Sequence, residues 1–167
     1  MAKDVVASGR RPPELDGAGL RVAVVCGRFN DHVTVRLLEG CRRGLRTAAV
    51  DPVDITEIWV PGAFEIPLAA KAFAGAGEVD AVIGLGCVIR GETTHYETVA
   101  GECAAGIQRV QLDTGVPCVF GVLTTEDLDQ ALSRSEAAGS HNVGEEAAAT
   151  AVEMARLVAR IAKGRDV

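Results

Sequence analysis

A lone histidine and two threonines follow a glycine at the end of a strongly apolar segment. Residues 81–89 predict a buried strand, which leads through Arg90 into a Gly-Glu-Thr-Thr turn and then His95. Backbone amides at such a strand-to-helix turn bind anions in α/β proteins. A histidine titrates near neutral pH and can give or take a proton. The pattern therefore predicts a site for a phosphorylated or otherwise anionic small molecule beside a proton-transfer group.

Other interpretations of this segment are weaker. The spacing from Gly86 to Thr93 matches a P-loop, but Glu92 stands where that motif needs a lysine to reach the phosphates, which disfavours an NTPase. The weaker prediction that remains is close backbone approach at Gly91, with the amides of Glu92 and Thr93 donating to an anion. His95 as a capping or core histidine is the plainer alternative, and its place at the turn argues against it.

Three further places in the chain, two turns and the end of the short helix, carry residues that suit a ring, a hydroxyl-rich ligand or a phosphate. Phe29 and Asn30 directly follow the first apolar strand, so the phenylalanine either stacks on a planar ligand or packs under the next helix. Residues 60–67 are bracketed by prolines, and Glu65 there either offsets a helix dipole or binds hydroxyls. Arg134 is either a solvated charge or a bidentate clamp on a phosphate.

Apolar strands alternate with helical patterns along the chain. Strands are predicted at 20–26, 55–60, 81–89 and 116–123, and helices at 31–46, 65–74, 94–114, 126–133 and 145–163. This alternation predicts an α/β fold with a parallel sheet covered on both faces. The interesting turns all follow strands, so they meet at one edge of the sheet and form one site. We expect a flexible arm at 1–19 and a single domain at 20–167.

Finer predictions concern helix faces and caps. The first helix is expected to bury Val35, Leu38, Cys41 and Leu45, and Thr124 or Thr125 to cap the short helix. Residues 139–144 are expected to form a loop before the last helix. That helix should present one apolar side, composed of Ala148, Ala151, Val152, Ala155, Val158, Ala159 and Ala162.

Composition limits the function further. The 167 residues carry a net charge of -6 without a basic stripe, which argues against nucleic acid as a partner. Aromatics make up only 4%, so the core must be aliphatic. We expect the five cysteines to be buried, reduced thiols. No signal-peptide segment, apolar membrane span or metal-ligand spacing is recognisable, so we expect a cytoplasmic protein with no membrane partner and no metal.

Several segments together resemble the lumazine synthase (6,7-dimethyl-8-ribityllumazine synthase) family. They are, in chain order, residues 28–30, 59–67, 86–96 and 120–125, followed by Gln130, Ala131 and Arg134. The likeness runs in register from about residue 20 to residue 161. It implies a flavodoxin-like three-layer α/β sandwich around a four-stranded parallel sheet. It also implies homopentamers, which in some members form decamers or sixty-subunit shells, with sites between neighbouring subunits.

The resemblance also implies a reaction and roles for residues. The family condenses 5-amino-6-(ribitylamino)uracil with 3,4-dihydroxy-2-butanone 4-phosphate to the lumazine, releasing phosphate and water without a cofactor. His95 is similar to the family's proton shuttle. The resemblance implies substrate contacts from Phe29 and Asn30 after the first strand, from the ribityl-binding Ala63, Phe64 and Glu65, from Val88 and Ile89 through backbone, from the phosphate-binding Gly91, Glu92 and Thr93, and, across the interface, from Phe120 and Arg134.

The likeness fails at one place. The family usually has Arg-Ala-Gly, a short loop and Asn-Lys-Gly, whereas here Ser135 and Glu136 follow Arg134, and Val143 replaces the lysine. We therefore expect weaker binding of the phosphate-bearing substrate than in a lysine-bearing member. A lumazine- or flavin-binding or cage-forming paralogue with little turnover is the alternative function. A flavodoxin-type electron carrier is disfavoured, because the first turn lacks a Ser/Thr-rich phosphate loop.

Overall fold

The protein is an α/β sandwich with a four-stranded, all-parallel sheet. The fold is that of a computed structural model, which describes residues 15–164. The strands are β1 (Val22–Gly27), β2 (Ile55–Val60), β3 (Ala81–Ile89) and β4 (Cys118–Thr125), in the order β2-β1-β3-β4. The helices are α1 (Asp31–Thr47), α2 (Ile66–Ala76), α3 (His95–Thr114), α4 (Leu128–Leu132) and α5 (Val143–Ala162). The predicted fold class is confirmed, and β2 and β3 have the predicted bounds.

Two helix layers bury the sheet on both faces. Helices α1 and α5 cover one face, and α2 and α3 cover the other. The fully buried hydrophobic side chains in the described part of the chain are Val, Leu, Ile, Ala and Cys, so the predicted aliphatic core is confirmed. All five cysteines are free and buried. Burial raises the pKa of the Cys87 thiol to about 11, so this thiol is protonated at neutral pH.

Contact between α1 and α5 depends on small residues. A Cβ on Gly144 would lie 1.9 Å from the carbonyl oxygen of Leu37, and a Cβ on Gly44 would lie 2.7 Å from the Ala148 methyl. Real side chains essentially never approach a backbone oxygen so closely, so the two helices could not pack in this way if position 144 were larger.

Buried Asn142 joins this helix pair to the preceding hairpin. Its side-chain oxygen accepts from the amides of Gly144 (2.9 Å) and Glu145 (3.3 Å), which caps α5. Its amide group donates to the carbonyls of Arg36 (3.1 Å) and Glu136 (2.8 Å). The hairpin over residues 134–143 closes through an isolated bridge between Ser135 and Asn142. The predicted loop 139–144 is therefore wrong at its end, because Asn142 caps a helix that begins at Val143.

The predicted first-helix face is wrong at one residue. Val35 is 46% exposed, and the buried stripe passes instead through Thr34 and Leu38. Helical positions four apart share a face, so Thr34 lies above Leu38 and the apolar Val35 turns outward.

Other differences lie at the ends of elements. The stripe of α5 is buried only as far as Ala155, since Val158 and Ala162 are exposed. Thr124 and Thr125, which were expected to cap the short helix, lie instead in β4, where they pair with the last residues of β3. Asp127 caps α4 by accepting from the Gln130 amide at 2.8 Å.

Residues 1–14 of the predicted arm lie outside the described residues, so the division at residue 20 stays a prediction. Within residues 15–19, Leu15 packs against the core on the α1 and α5 side. The carbonyl of Ala18 accepts from Arg156 at 2.6 Å. No helix among residues 15–164 has the length and apolar character needed to span a membrane.

Gly144→Ala should destabilise the protein strongly, because the new methyl group would overlap the Leu37 carbonyl. We expect a loss of about 3 kcal/mol and a fall in Tm of roughly 6–12 °C at matched protein concentration. Gly75→Ala is the control: it lies in α2 with open space around it, so it should raise Tm slightly. Equal Tm values for the two variants would contradict the close α1–α5 contact.

Candidate active site

A cleft of about 640 Å³ opens at the carboxyl edge of β1, β2 and β3. The strand order reverses between the neighbouring strands β1 and β3, and the cleft lies beside this point. Open α/β sheets bind ligands at such a reversal. The walls of the cleft are mostly apolar with a few polar groups, as is usual in small-molecule sites. The lining residues are Phe29, Asn30, Pro61, Gly62, Ala63, Phe64, Glu65, Cys87, Val88, Ile89, Gly91, Thr93, His95, Tyr96, Thr98 and Val99.

The first wall is the turn after β1. The amide of Phe29 donates to the Pro61 carbonyl at 3.1 Å, which ties this turn to the end of β2. The Phe29 ring is 75% exposed at the cleft, which excludes the interpretation that it packs under α1. A ring held in this way offers a flat face to a planar ligand.

Asn30 connects this turn to β3. Its backbone is left-handed (φ 59°, ψ 40°), a conformation that asparagine tolerates better than most residues. Its side-chain amide donates to the carbonyl of Cys87 at 3.0 Å. Asn30 therefore fixes the distance between the Phe29 turn and the end of β3 across the cleft.

The second wall is the segment after β2. Gly27 allows the segment to come close, since a Cβ there would lie 3.2 Å from the Gly62 carbonyl carbon. A short 3-10 helix, Ala63–Glu65, then turns the chain into α2. Glu65 is half-buried in the cleft, and its carboxylate accepts no hydrogen bond from any described residue. This carboxylate is thus available to accept hydrogen bonds from the hydroxyl groups of a ligand.

The floor is the end of β3, which runs beyond its neighbour. Pairing with β1 ends at Leu85, whereas pairing with β4 continues to Ile89. Val88 and Ile89 are half-buried and line the cleft. Their backbone therefore has a partner strand on the β4 side only, and its other edge borders the cleft.

The last wall is the turn from β3 into α3. Gly91 and Thr93 line the cleft, and the exposed His95 stands at the first position of the helix. Among residues 15–164, the amides of residues 91–94 have no hydrogen-bond acceptor. Amides at a helix N-terminus that point away from the protein bind anions readily. His95 and a turn with free backbone amides therefore share one cleft.

Three of the candidate residues lie outside this cleft. Glu92 is exposed on the turn without lining it. Phe120 stands on edge strand β4 and is 37% exposed. Arg134 is exposed after α4, where it donates to the Gln130 carbonyl at 2.9 Å. The structure of one chain therefore does not bring Phe120 or Arg134 to the cleft, and their contribution to a neighbouring chain stays a prediction.

Some lining residues had no place among the sequence candidates. Pro61 and Gly62 directly precede the predicted segment 63–65, and Tyr96 follows His95. Thr98 and Val99 lie three and four residues after His95, so helical periodicity from the histidine could have identified them. Val143, at the start of α5, packs against the core instead of facing the cleft. No group of three or more potential metal ligands occurs within residues 15–164.

Taken together, these features define an α/β protein with a cleft of small-molecule size, lined by a histidine and by a turn whose backbone amides are free to donate. Residues 19–159 match the family model of 6,7-dimethyl-8-ribityllumazine synthase. The chain therefore belongs to the lumazine synthase family, as the sequence resemblance predicted. Membership places it in riboflavin biosynthesis.

The Asn30 conformation can be tested with two substitutions. Both Asn30→Ala and Asn30→Gly remove the hydrogen bond to Cys87, which contributes about 1 kcal/mol. Only alanine also pays the left-handed penalty, so its Tm should fall roughly 2–4 °C below that of the glycine variant. Indistinguishable melting curves would show that the left-handed backbone at Asn30 does not matter to stability.

Proposed function

We propose that the protein condenses 5-amino-6-(ribitylamino)uracil with 3,4-dihydroxy-2-butanone 4-phosphate. The product is 6,7-dimethyl-8-ribityllumazine, and phosphate and water leave; no metal or organic cofactor takes part. The observation that carries this proposal is that the exposed ring of Phe29, the carboxylate of Glu65 and the imidazole of His95 line a single cleft.

Each wall suits one part of the substrates. Phe29 would stack on the pyrimidine, and Val88 and Ile89 would meet the heterocycle through their unpaired backbone edge. The carboxylate of Glu65 would accept from the ribityl hydroxyls, beside Ala63 and Phe64. The amides of residues 91–93 would hold the phosphate.

The reaction needs proton transfer at several steps. The 5-amino group attacks the ketone, and loss of water gives an imine. Elimination of phosphate and tautomerisation then leave a second carbonyl carbon, which the ribityl-bearing amine attacks to close the ring with loss of a second water. His95 lies beside the phosphate-binding turn, where it can take a proton from the attacking nitrogen and give one to a leaving oxygen. Holding both reactants together supplies much of the remaining acceleration, up to roughly 7–11 kcal/mol in intramolecular analogues.

We further propose that the protein works as a homopentamer, which could associate into a decamer or a sixty-subunit shell. Large apolar side chains on the α2 and α3 face support an assembly: Leu68 is 75% exposed and Leu112 is 73% exposed in the single chain. In such an assembly Phe120 and Arg134 would complete the cleft of a neighbour. Five free, buried thiols also fit a reducing cytoplasm.

The proposed reaction predicts turnover that depends on His95. With both substrates, the protein should form lumazine well above the spontaneous rate, followed by the absorbance and fluorescence of the product. His95→Ala should lower kcat by about 10²-fold or more, because it removes the proton-transfer group. His32→Ala is the matched control: His32 is exposed, does not line the cleft, and should leave kcat unchanged.

A rate equal to background would refute the proposed reaction. If such a protein still bound the lumazine, the alternative of a binding paralogue would replace the enzyme. The absence of a cation at Val143 is the sequence feature that favours this alternative.

The proposed assembly predicts that each site is shared between two neighbouring chains. His95→Ala and Arg134→Ala chains, each of low activity, are refolded together in equal amounts. If His95 and Arg134 of one site come from different chains, about a quarter of the sites regain both residues, and activity recovers to roughly that fraction. Refolding His95→Ala with His95→Gln is the control, and it should restore nothing. No recovery in the first mixture would place both residues in the site of the same chain.

A further inference from the structure

Arg90 connects three elements around the anion-binding turn. Its Nε donates to Oε2 of Glu126, just after β4, at 2.7 Å, and its Nη1 donates to Glu97 in the first turn of α3. The guanidinium carbon lies 4.2 Å from the centre of the Tyr96 ring. The backbone amide of Arg90 also donates to the carbonyl of Thr125 at 2.9 Å. We call this set of contacts the Arg90 clasp.

The turn that the clasp encloses has little support of its own. Residues 91–94 are exposed, and their amides have no acceptor within the described part of the chain. The amide of His95 has only a long 3.4 Å contact to the Thr93 hydroxyl. The path of the turn is therefore set from its two ends, at Arg90 and at Tyr96 and Glu97. Tyr96 also lines the cleft, so the clasp holds part of the cleft wall directly.

The charge of Arg90 is balanced locally. One guanidinium lies between the carboxylates of Glu97 and Glu126. The hydrogen bond from Arg90 holds the pKa of Glu97 below its usual range, so this carboxylate stays ionised at neutral pH. Because Arg90 is engaged by two anions and an aromatic ring, it serves the turn as a brace and not as a ligand for the substrate anion. A planar guanidinium suits this task, since its donors have a fixed geometry that lysine lacks.

We propose that Arg90 is a positioning residue, which holds the turn over residues 91–94 and the first turn of α3 so that the phosphate-binding amides and His95 meet the substrates together. The proposal rests on the proposed function and adds a residue that touches neither substrate.

The experiment must separate positioning from charge. Arg90→Gln removes the clasp and also leaves two unpaired carboxylates near the anion site. The triple variant Arg90→Gln, Glu97→Gln, Glu126→Gln removes the clasp without that excess negative charge. Arg90→Lys keeps the charge but lacks the planar set of donors of the guanidinium group. Arg46→Gln is the control, because Arg46 is an exposed arginine at the end of α1, away from the cleft.

Two measurements are made on each variant. The first is kcat and the KM of the phosphate-bearing substrate at low and high salt. Misplacement of reacting groups is expected to lower kcat/KM about tenfold or more in both Arg90→Gln and the triple variant, without rescue by salt. Arg90→Lys should recover only part of the loss, and Arg46→Gln should match the unsubstituted protein. Recovery of kcat/KM in the triple variant, or by salt, would mean that Arg90 acts through charge and would overturn the proposal.

The second measurement is amide hydrogen exchange, followed in peptides that cover residues 88–99. Exchange there should be several-fold faster in Arg90→Gln and in the triple variant, and unchanged in Arg46→Gln. Unchanged exchange in the first two variants would overturn the proposal. This readout needs no turnover, so it still tests the clasp if the unsubstituted protein proves inactive, a result that would refute the proposed function alone.

Discussion

The absence of a side chain at Gly144 allows α5 to lie against the backbone of α1 at Leu37. This contact closes one face of the sheet, because α1 and α5 together bury β1, β3 and β4 from that side. It also places Asn142 against Arg36, so the hairpin that carries Arg134 is fixed to the same helix pair. The cleft lies at the carboxyl edge of the sheet that this layer covers. Packing far from the cleft thus decides where the ends of the strands stand.

The charges at the carboxyl edge have a simple arrangement. Arg90 is held between two carboxylates, and Glu92 adds a further negative charge on the turn. A phosphate bound there would meet backbone amides instead of an unshared cation from the same chain. Val143 packs against the core and adds no charge at this edge. The described chain is therefore sparing in positive charge beside the free amides of this turn.

The sequence predicted strands and turns well, but predicted helix faces less well. The uninterrupted apolar run at 81–89 and the break at Pro61 leave little choice, so β3 and the end of β2 were predicted to the residue. The sequence does not identify Thr34 as buried, because its side chain is polar and the apolar Val35 next to it is the expected member of the buried stripe. The sequence places Asn142 in a loop, because two of its four hydrogen bonds go to the carbonyls of Arg36 and Glu136, which only the folded chain brings to it. Likewise, the sequence leaves the position of Phe29 open, since a ring in the cleft and a ring under α1 fit the same residues, and only its exposure in the fold decides between them.

The hairpin before α5 is closed at its base, and its tip is exposed. The amide of Val143 donates to the Arg134 carbonyl at 2.9 Å, and the amide of Glu136 donates to the His141 carbonyl at the same distance. Residues 137–140 beyond these bonds are all exposed. Since the base alone fixes Arg134 and the start of α5, changes of length at the tip leave both in place. The tip is consequently a natural point for insertions and deletions, and a permissive place to graft a peptide onto the protein.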